Sequence, residues 1–432
     1  MLRNLLERFG LGRLAYNTVL GTLWQFTRIG TQALWLVAIA HCLGPGGYGA
    51  LAGLAGLAVT MSGFSGLGSG PLLLKEVSRE PGKLSAQWRK AVVTTVASGL
   101  ALTVIYGVAA CWLNTTMASW STLVAIGVSE LICFPLVNAA AAAFQAHEHL
   151  PLATMMPAGM SALRLVAVAV FWASGLPHHL SAYVWFHFGA SMLAALFALA
   201  LVHAILRPGK CRYRIDHPEI REGLGFSLTW FTNNALGEFD KTLTLRLADS
   251  HVAGIYAAIY RLANILTAPA IALIGAAQPR LFRQARDHEG NWRSGLAYRL
   301  FVFAGGYGIV ASLTLPLLSH ALPVLLGPDF AQTAQAAGWL MLVPLAYSLR
   351  QAGSTILMTS GHQAVRIAIE VCGIALMIGL FAALVPGHGL PGSAIAMTAT
   401  EVVLASSMWI ALLKQKTGIA SANGEGASRK TG

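Results

Sequence analysis

Between Gly223 and Arg246 runs an apolar stretch, GLGFSLTWFTNNALGEFDKTLTLR, that carries Asn233, Asn234, Glu238, Asp240, Lys241 and Arg246. Its length suits a membrane helix. A charge at mid-bilayer costs about 2.5–3.5 kcal/mol on insertion scales, so such groups face a partner or a watery cavity. Helical periodicity places Asn234, Glu238 and Lys241 on one stripe. Asp240 falls about 100° or more away, so this helix is expected to show polar groups to two different surroundings. Two readings stand open: Glu238 and Lys241 neutralise each other, or they belong to a transport site. A carboxylate in a membrane cavity can exchange H+ or hold Na+, which makes Glu238 and Asp240 the ion-coupling candidates.

Five cations lie within five different apolar segments: Arg28, Arg164, Lys241, Arg261 and Arg350. Arginine stays charged, and its planar fork matches a phosphate bidentately. These five are therefore the candidates to line a cationic cavity that replaces the hydration of an anionic cargo. Arg28 is the first choice, because no acid lies near it in the sequence. The alternative is that Glu130, Glu370 and Glu401 tie some of them off as structural ion pairs. Arg246, near a segment end, can snorkel outward. Trp230 and Tyr347 could stack on sugar rings, although membrane aromatics more commonly anchor at the interface or fill the core.

Other chemistry is excluded by the same inventory. Cys42, Cys111, Cys133, Cys211 and Cys372 show no metal-ligand or disulfide spacing. The chain carries no nucleophile triad, phosphate-binding glycine loop or metal motif, so no cofactor, metal or catalytic residue is expected and the protein is not read as an enzyme.

The elements that must position these residues follow from composition. Of 432 residues, 56% are hydrophobic and 11% charged, against about 25% charged in a soluble domain. The mean hydropathy is +0.62. The expectation is an all-α polytopic membrane protein with about twelve transmembrane helices. The spans are read at 15–41, 48–74, 91–113, 120–144, 153–173, 181–205, 223–246, 254–277, 300–319, 331–354, 364–385 and 391–413. Residues 1–13 read as a basic interfacial helix rather than a cleavable leader. Residues 206–222 read as a basic cytoplasmic linker and 416–432 as a disordered cytoplasmic tail. Glycines 63, 66, 68 and 70 weaken the second span, and Pro71 can kink it.

The net charge of +12 does not indicate nucleic acid. Of the 29 Lys and Arg, 23 are assigned to inside segments, Arg366 at the start of the eleventh span among them, and Arg28, Arg164, Lys241, Arg246, Arg261 and Arg350 lie in spans or at their ends. The rest fall in segments that alternate to one side, which places both termini in the cytoplasm. Tyr48 and Tyr256, and Pro71 and Pro279, repeat at one offset of 208 residues. Two pseudo-symmetric six-helix lobes, 14–205 and 223–415, are therefore expected around a central cavity.

Several segments carry a resemblance. LGPGGYGALAGLAGL at 43–57, GEFDKTLTLRLADSHVAGIYAAIYRLANI at 237–265, LLGPDFAQTAQAAGWLML at 325–342, SGHQAVRIAIE at 360–370 and GLPGSAIAMTATEVV at 389–403 together resemble the Wzx-type polysaccharide flippases of the multidrug/oligosaccharidyl-lipid/polysaccharide exporter superfamily. The resemblance implies a bacterial inner-membrane carrier. Its cargo would be undecaprenyl-pyrophosphate-linked repeat units, moved to the periplasmic leaflet by alternating access, with polymerase and assembly proteins as partners. It also implies that the Asp240–Lys241 pair is a fold-level feature. Two other readings stand beside it. A multidrug or cation antiporter should present an acidic chamber, whereas here basic residues dominate the spans. A polysaccharide polymerase or O-antigen ligase should carry a large outer loop, whereas the longest outer connection here is about 319–330.

Overall fold

The computed structural model describes residues 13–113, 119–209, 217–287 and 295–428. The interfacial helix expected at 1–13 lies outside these residues apart from Arg13, as do most of the outer turn after Leu113 and the middle of the basic linker. Among the described residues the protein is helical throughout, with no strand. Eight runs are long and apolar enough to cross a membrane. Two of them, 19–79 and 363–414, each contain more than one crossing. The chain divides into two compact units, Met1–Arg246 and Leu247–Gly432.

The first unit opens with α1, Arg13–Ser62, whose helical path breaks at Gly44 (φ 63°) beside Pro45. The break replaces the turn expected at 43–47. Proline removes one i→i−4 hydrogen bond, and glycine takes the left-handed backbone at no steric cost, so one residue reverses the path. A second break follows at Gly66 (φ 75°), Leu67 (φ 47°) and Gly68 (φ 73°). The second span therefore ends well before residue 74. Pro71 sits instead in the first turn of α2, Ser69–Arg79, where no intrahelical N–H is required of it.

Next come α3, Leu84–Cys111, and α4, Trp120–Val128. A π-helical turn, Ser129–Cys133, joins α4 to α5, Phe134–Ala146. The helices α6, Leu150–Ala173, α7, Leu180–Ile205, and α8, His217–Leu247, complete the unit. Its core gathers Leu73, Trp88, Val137, Phe144, Met156 and Val202, all buried. The long first arm of α1 packs along α6.

The sequence repeat assigns α8 to the second half, yet α8 packs on α1 within the first unit. Gly53, Gly56 and Gly63 supply the surface for this approach. A Cβ on Gly56 would meet the Glu238 carbonyl oxygen at 2.5 Å, and Cβ atoms on Gly53 and Gly63 would run into Leu245 and Phe231. Small residues let helix backbones approach closely in membranes, and polar side chains then bond across the seam. Here Asn234 Nδ2 donates to Val59 O at 2.9 Å, and Thr242 Oγ1 donates to Gly53 O at 2.7 Å.

The second unit contains α9, Ser250–Asp287, α10, Leu296–Ser319, and the short α11, Leu322–Leu326. The helices α12, Thr333–Trp339, α13, Val343–Thr359, and α14, Gln363–Ser428, follow. The tenth span, expected as one helix over 331–354, is broken between Trp339 and Val343. Pro344 lies in the first turn of α13 and cannot extend the hydrogen bonding backward. The turn expected between spans eleven and twelve is a single left-handed break at Gly389 within α14. The helix also continues to Ser428, past Lys414, into the segment read as a disordered tail. Good helix formers in the run ALLKQK favour that continuation. Ile274, Leu300, Leu357, Met408 and Leu412 form the core of this unit.

Candidate functional site

Glu238, Asp240 and Lys241 of α8 form one cluster. Lys241 Nζ lies 3.1 Å from Glu238 Oε2 and 3.2 Å from Asp240 Oδ1, and it also donates to Gly237 O. Asp240 is fully buried, whereas the Glu238 side chain retains 32% exposure. Asp240 and Glu238 thus lie in different surroundings, one buried and one partly exposed, and the long Lys241 side chain reaches both. Asn234 is committed to α1. Arg246 places its guanidinium 5.1 Å from the centre of the Trp112 ring, a cation–π arrangement.

A second cluster lies deeper in the first unit. Arg164 Nη2 donates to Glu130 Oε1 at 2.7 Å, while Arg164 Nε and Nη2 reach Ser191 Oγ at 3.1 and 3.0 Å. His187 Nε2 lies 3.0 Å from the same Glu130 oxygen. Tyr183 Oη is 3.5 Å from His187 Nδ1 and accepts the Trp35 indole N–H at 2.9 Å. Two helices, α6 and α7, thus reach one carboxylate, which sits in the π-helical turn, and α1 joins through Trp35 and Tyr183. Such turns free backbone carbonyls and recur at functional positions. The Leu131 carbonyl, whose i+4 residue Pro135 has no N–H, accepts from Ser65 Oγ at 2.5 Å. Gly99 of α3 lets that helix press against the turn, since a Cβ there would meet Leu131 O at 2.6 Å.

In the second unit Arg350 is gripped by Glu401, with Nε to Oε2 at 2.7 Å and Nη2 to Oε1 at 3.1 Å. Both side chains are buried, at 2% and 0% exposure. The guanidinium also sits 4.8 Å from the centre of the Tyr347 ring. Arg366 Nε pairs with Glu370 Oε1 at 2.8 Å.

Of the five cations expected to share a cavity, Arg164, Lys241 and Arg350 are each held by carboxylates, in three separate clusters. Arg28 on α1 and Arg261 on α9 are half-buried within their spans. Glu130 and Glu401 act as the pairing partners considered for these cations, while Glu370 takes Arg366 instead. Sequence reading passed over His187, Tyr183 and Trp35. The available signal was a histidine inside an apolar span, which carries no weight until Glu130 is placed beside it. Trp230 is exposed and Tyr347 belongs to the Arg350 cluster. Tyr48 and Tyr256, the repeated pair, are both buried, at 3% and 0% exposure.

A family model described as polysaccharide biosynthesis protein matches residues 14–284. No curated protein matches. Among solved structures, the chain is similar to an inward-facing multidrug resistance MATE family transporter of the MOP superfamily. That match has a TM-score of 0.73 and 13% identity, covering 92% of this chain and 99% of the other. It is also similar to the lipid II flippase MurJ in an inward closed conformation, with a TM-score of 0.66 and 12% identity over 90% and 87% of the two chains. A third is an outward-facing multidrug resistance MATE family transporter of the same superfamily, with a TM-score of 0.63 and 13% identity over 94% and 96%. At these identities the likeness shows a shared polytopic helical fold, one that resembles transporters and flippases rather than catalysts.

Proposed function

Because the chain belongs to the polysaccharide biosynthesis protein family, we propose that it moves a lipid-linked oligosaccharide, carried on undecaprenyl pyrophosphate, from the cytoplasmic to the periplasmic leaflet of a bacterial inner membrane. The observation that carries this reading is the sign of the accessible charge within the spans. Glu130, Asp240, Glu370 and Glu401 are each buried with a cation beside them. Away from span ends, the partly exposed charges of the described spans are Arg28, Arg164 and Glu238 in the first unit and Arg261 in the second, so basic groups outnumber acids among them. Such groups suit a pyrophosphate, which is doubly anionic or more and needs its hydration replaced at membrane depth. In this scheme Arg28 in the first unit and Arg261 in the second each contact cargo, with Arg164 and Lys241 as paired struts of the first unit and Arg350 of the second. Both termini lie in the cytoplasm, and polymerase and assembly proteins receive the product.

The test is leaflet-resolved labelling of lipid-linked repeat units in a strain depleted of the protein. Unflipped units should accumulate on the cytoplasmic side, and Arg28→Ala with Arg261→Ala should reproduce that accumulation with normal protein level. Normal delivery to the periplasmic leaflet during depletion overturns the reading. A multidrug-export role, as in the MATE transporters of similar fold, would instead appear as raised drug sensitivity without such accumulation.

A further inference from the structure

The cluster around Glu130 has the composition of a proton-binding site. Glu130 lies ten residues into its apolar run from Trp120, Arg164 nine before Ala173, and His187 seven after Leu180. At 1.5 Å per residue each sits about 10–15 Å from the helix end, well inside the apolar part of its span. The side chains of Glu130 and His187 are 3% and 5% exposed. Polar and ionisable groups at that depth are costly and mark functional pathways unless they merely neutralise each other. Arg164 already neutralises Glu130, so the imidazole is not needed for charge balance.

The hydrogen-bond directions give the imidazole its role. Trp35 N–H can only donate, so Tyr183 Oη accepts from it and its own hydrogen is left to point at His187 Nδ1. The ring then carries its proton on Nε2 and donates it to Glu130. One acceptor position remains, Nδ1, and a hydroxyl on a neighbouring turn guards it. The other ionisable groups in electrostatic reach are Tyr106 of α3, Cys133 of the π turn and Cys42 of α1. None supplies a second carboxylate.

We propose that His187 is the exchangeable proton site of the first unit, and that Tyr183 and Trp35 transmit its protonation to the helix carrying Arg28. Uptake of one proton at Nδ1 changes the formal charge of the Glu130–Arg164–His187 group from zero to plus one. It also turns Nδ1 from acceptor to donor. The Tyr183 hydroxyl must then rotate and accept from Nδ1 as well as from the Trp35 indole, so two donors crowd one oxygen and each bond weakens. Trp35 and Arg28 are seven residues apart on α1 and so share a helix face. Weakening the Trp35 anchor alters the hold on that face. The proposal deepens the transport reading by naming the site of ion coupling, and it moves that site from Glu238 and Asp240 to His187.

The direct test does not depend on the cargo. Full-length protein with 15N-labelled histidine rings, in lipid nanodiscs, is followed by solid-state NMR from pH 8 to pH 5, and His187→Gln identifies the resonance. The His187 ring should pass from the neutral Nε2-protonated form to imidazolium in that interval. Tyr183→Phe should shift its midpoint by about 0.5–1 pH unit, the equivalent of one hydrogen bond. A ring that keeps one form throughout, or a midpoint indifferent to Tyr183→Phe, overturns the proposal. In cells, a dependence of repeat-unit delivery on external pH should flatten in His187→Gln at normal protein level, and an unchanged dependence counts against the proposal. If no repeat units are moved at all, the flippase reading falls and the NMR result still stands on its own.

Discussion

Removing the Glu401 carboxylate should destabilise the second unit more than any surface change. Glu401→Gln leaves the Arg350 guanidinium at 2% exposure with both charged hydrogen bonds lost. Breaking a buried pair from one side costs about 3–5 kcal/mol, because the orphaned charge stays desolvated. For a unit of this size each kcal/mol moves Tm by about 2–4 °C, so the expected loss is about 6–20 °C. The double change Arg350→Met with Glu401→Leu removes both charges and fills similar volume, and it should recover most of that loss. The assay is thermal unfolding of purified protein by intrinsic fluorescence, run as a full double-mutant cycle. A single-variant loss under about 2 °C, or a double variant as unstable as the two singles combined, refutes the reasoning. The same double variant should still deliver repeat units, since Arg350 acts here as a strut behind the cargo surface.

Gly56→Leu should separate α1 from α8, because even its Cβ would meet the Glu238 carbonyl at 2.5 Å. A cost of about 1–3 kcal/mol is expected from overpacking, read as lower Tm and greater protease sensitivity in α8. Glu238→Gln takes one of two carboxylates from Lys241 and should lower repeat-unit delivery without lowering protein level or altering its pH dependence, measured by the leaflet assay beside an immunoblot, and unchanged delivery removes Glu238 from the cargo surface. Lys90 pairs with Glu219 at the start of α8, with the two side chains 15% and 32% exposed. Lys90→Glu alone should therefore change stability by about 0–1 kcal/mol, and adding Glu219→Lys should restore the unfolding profile.

Much of the fold is local physics and can be read directly. Unbroken apolar runs of about 20 residues can only be membrane helices. The glycines before Pro71 disrupt the second span where expected, at residues 66–68. Segment ends are less legible. The turns expected at 43–47 and between spans eleven and twelve are single-residue breaks at Gly44 and Gly389.

The site divides along the same line. Sequence alone determined that charge is buried in apolar helices and which residues carry it, because the cost of an ion in hydrocarbon is a property of the residue and its segment. Only the tertiary structure decided which carboxylate holds which cation. Arg164 and Glu130 are 34 positions apart, and Arg350 and Glu401 are 51 apart. Their meeting depends on how helices are rotated and staggered against one another. For Glu130 it is set by the π turn and by Gly99, which lets α3 press against that turn, and no helical periodicity encodes either. His187 became visible only when packing laid its ring against that carboxylate.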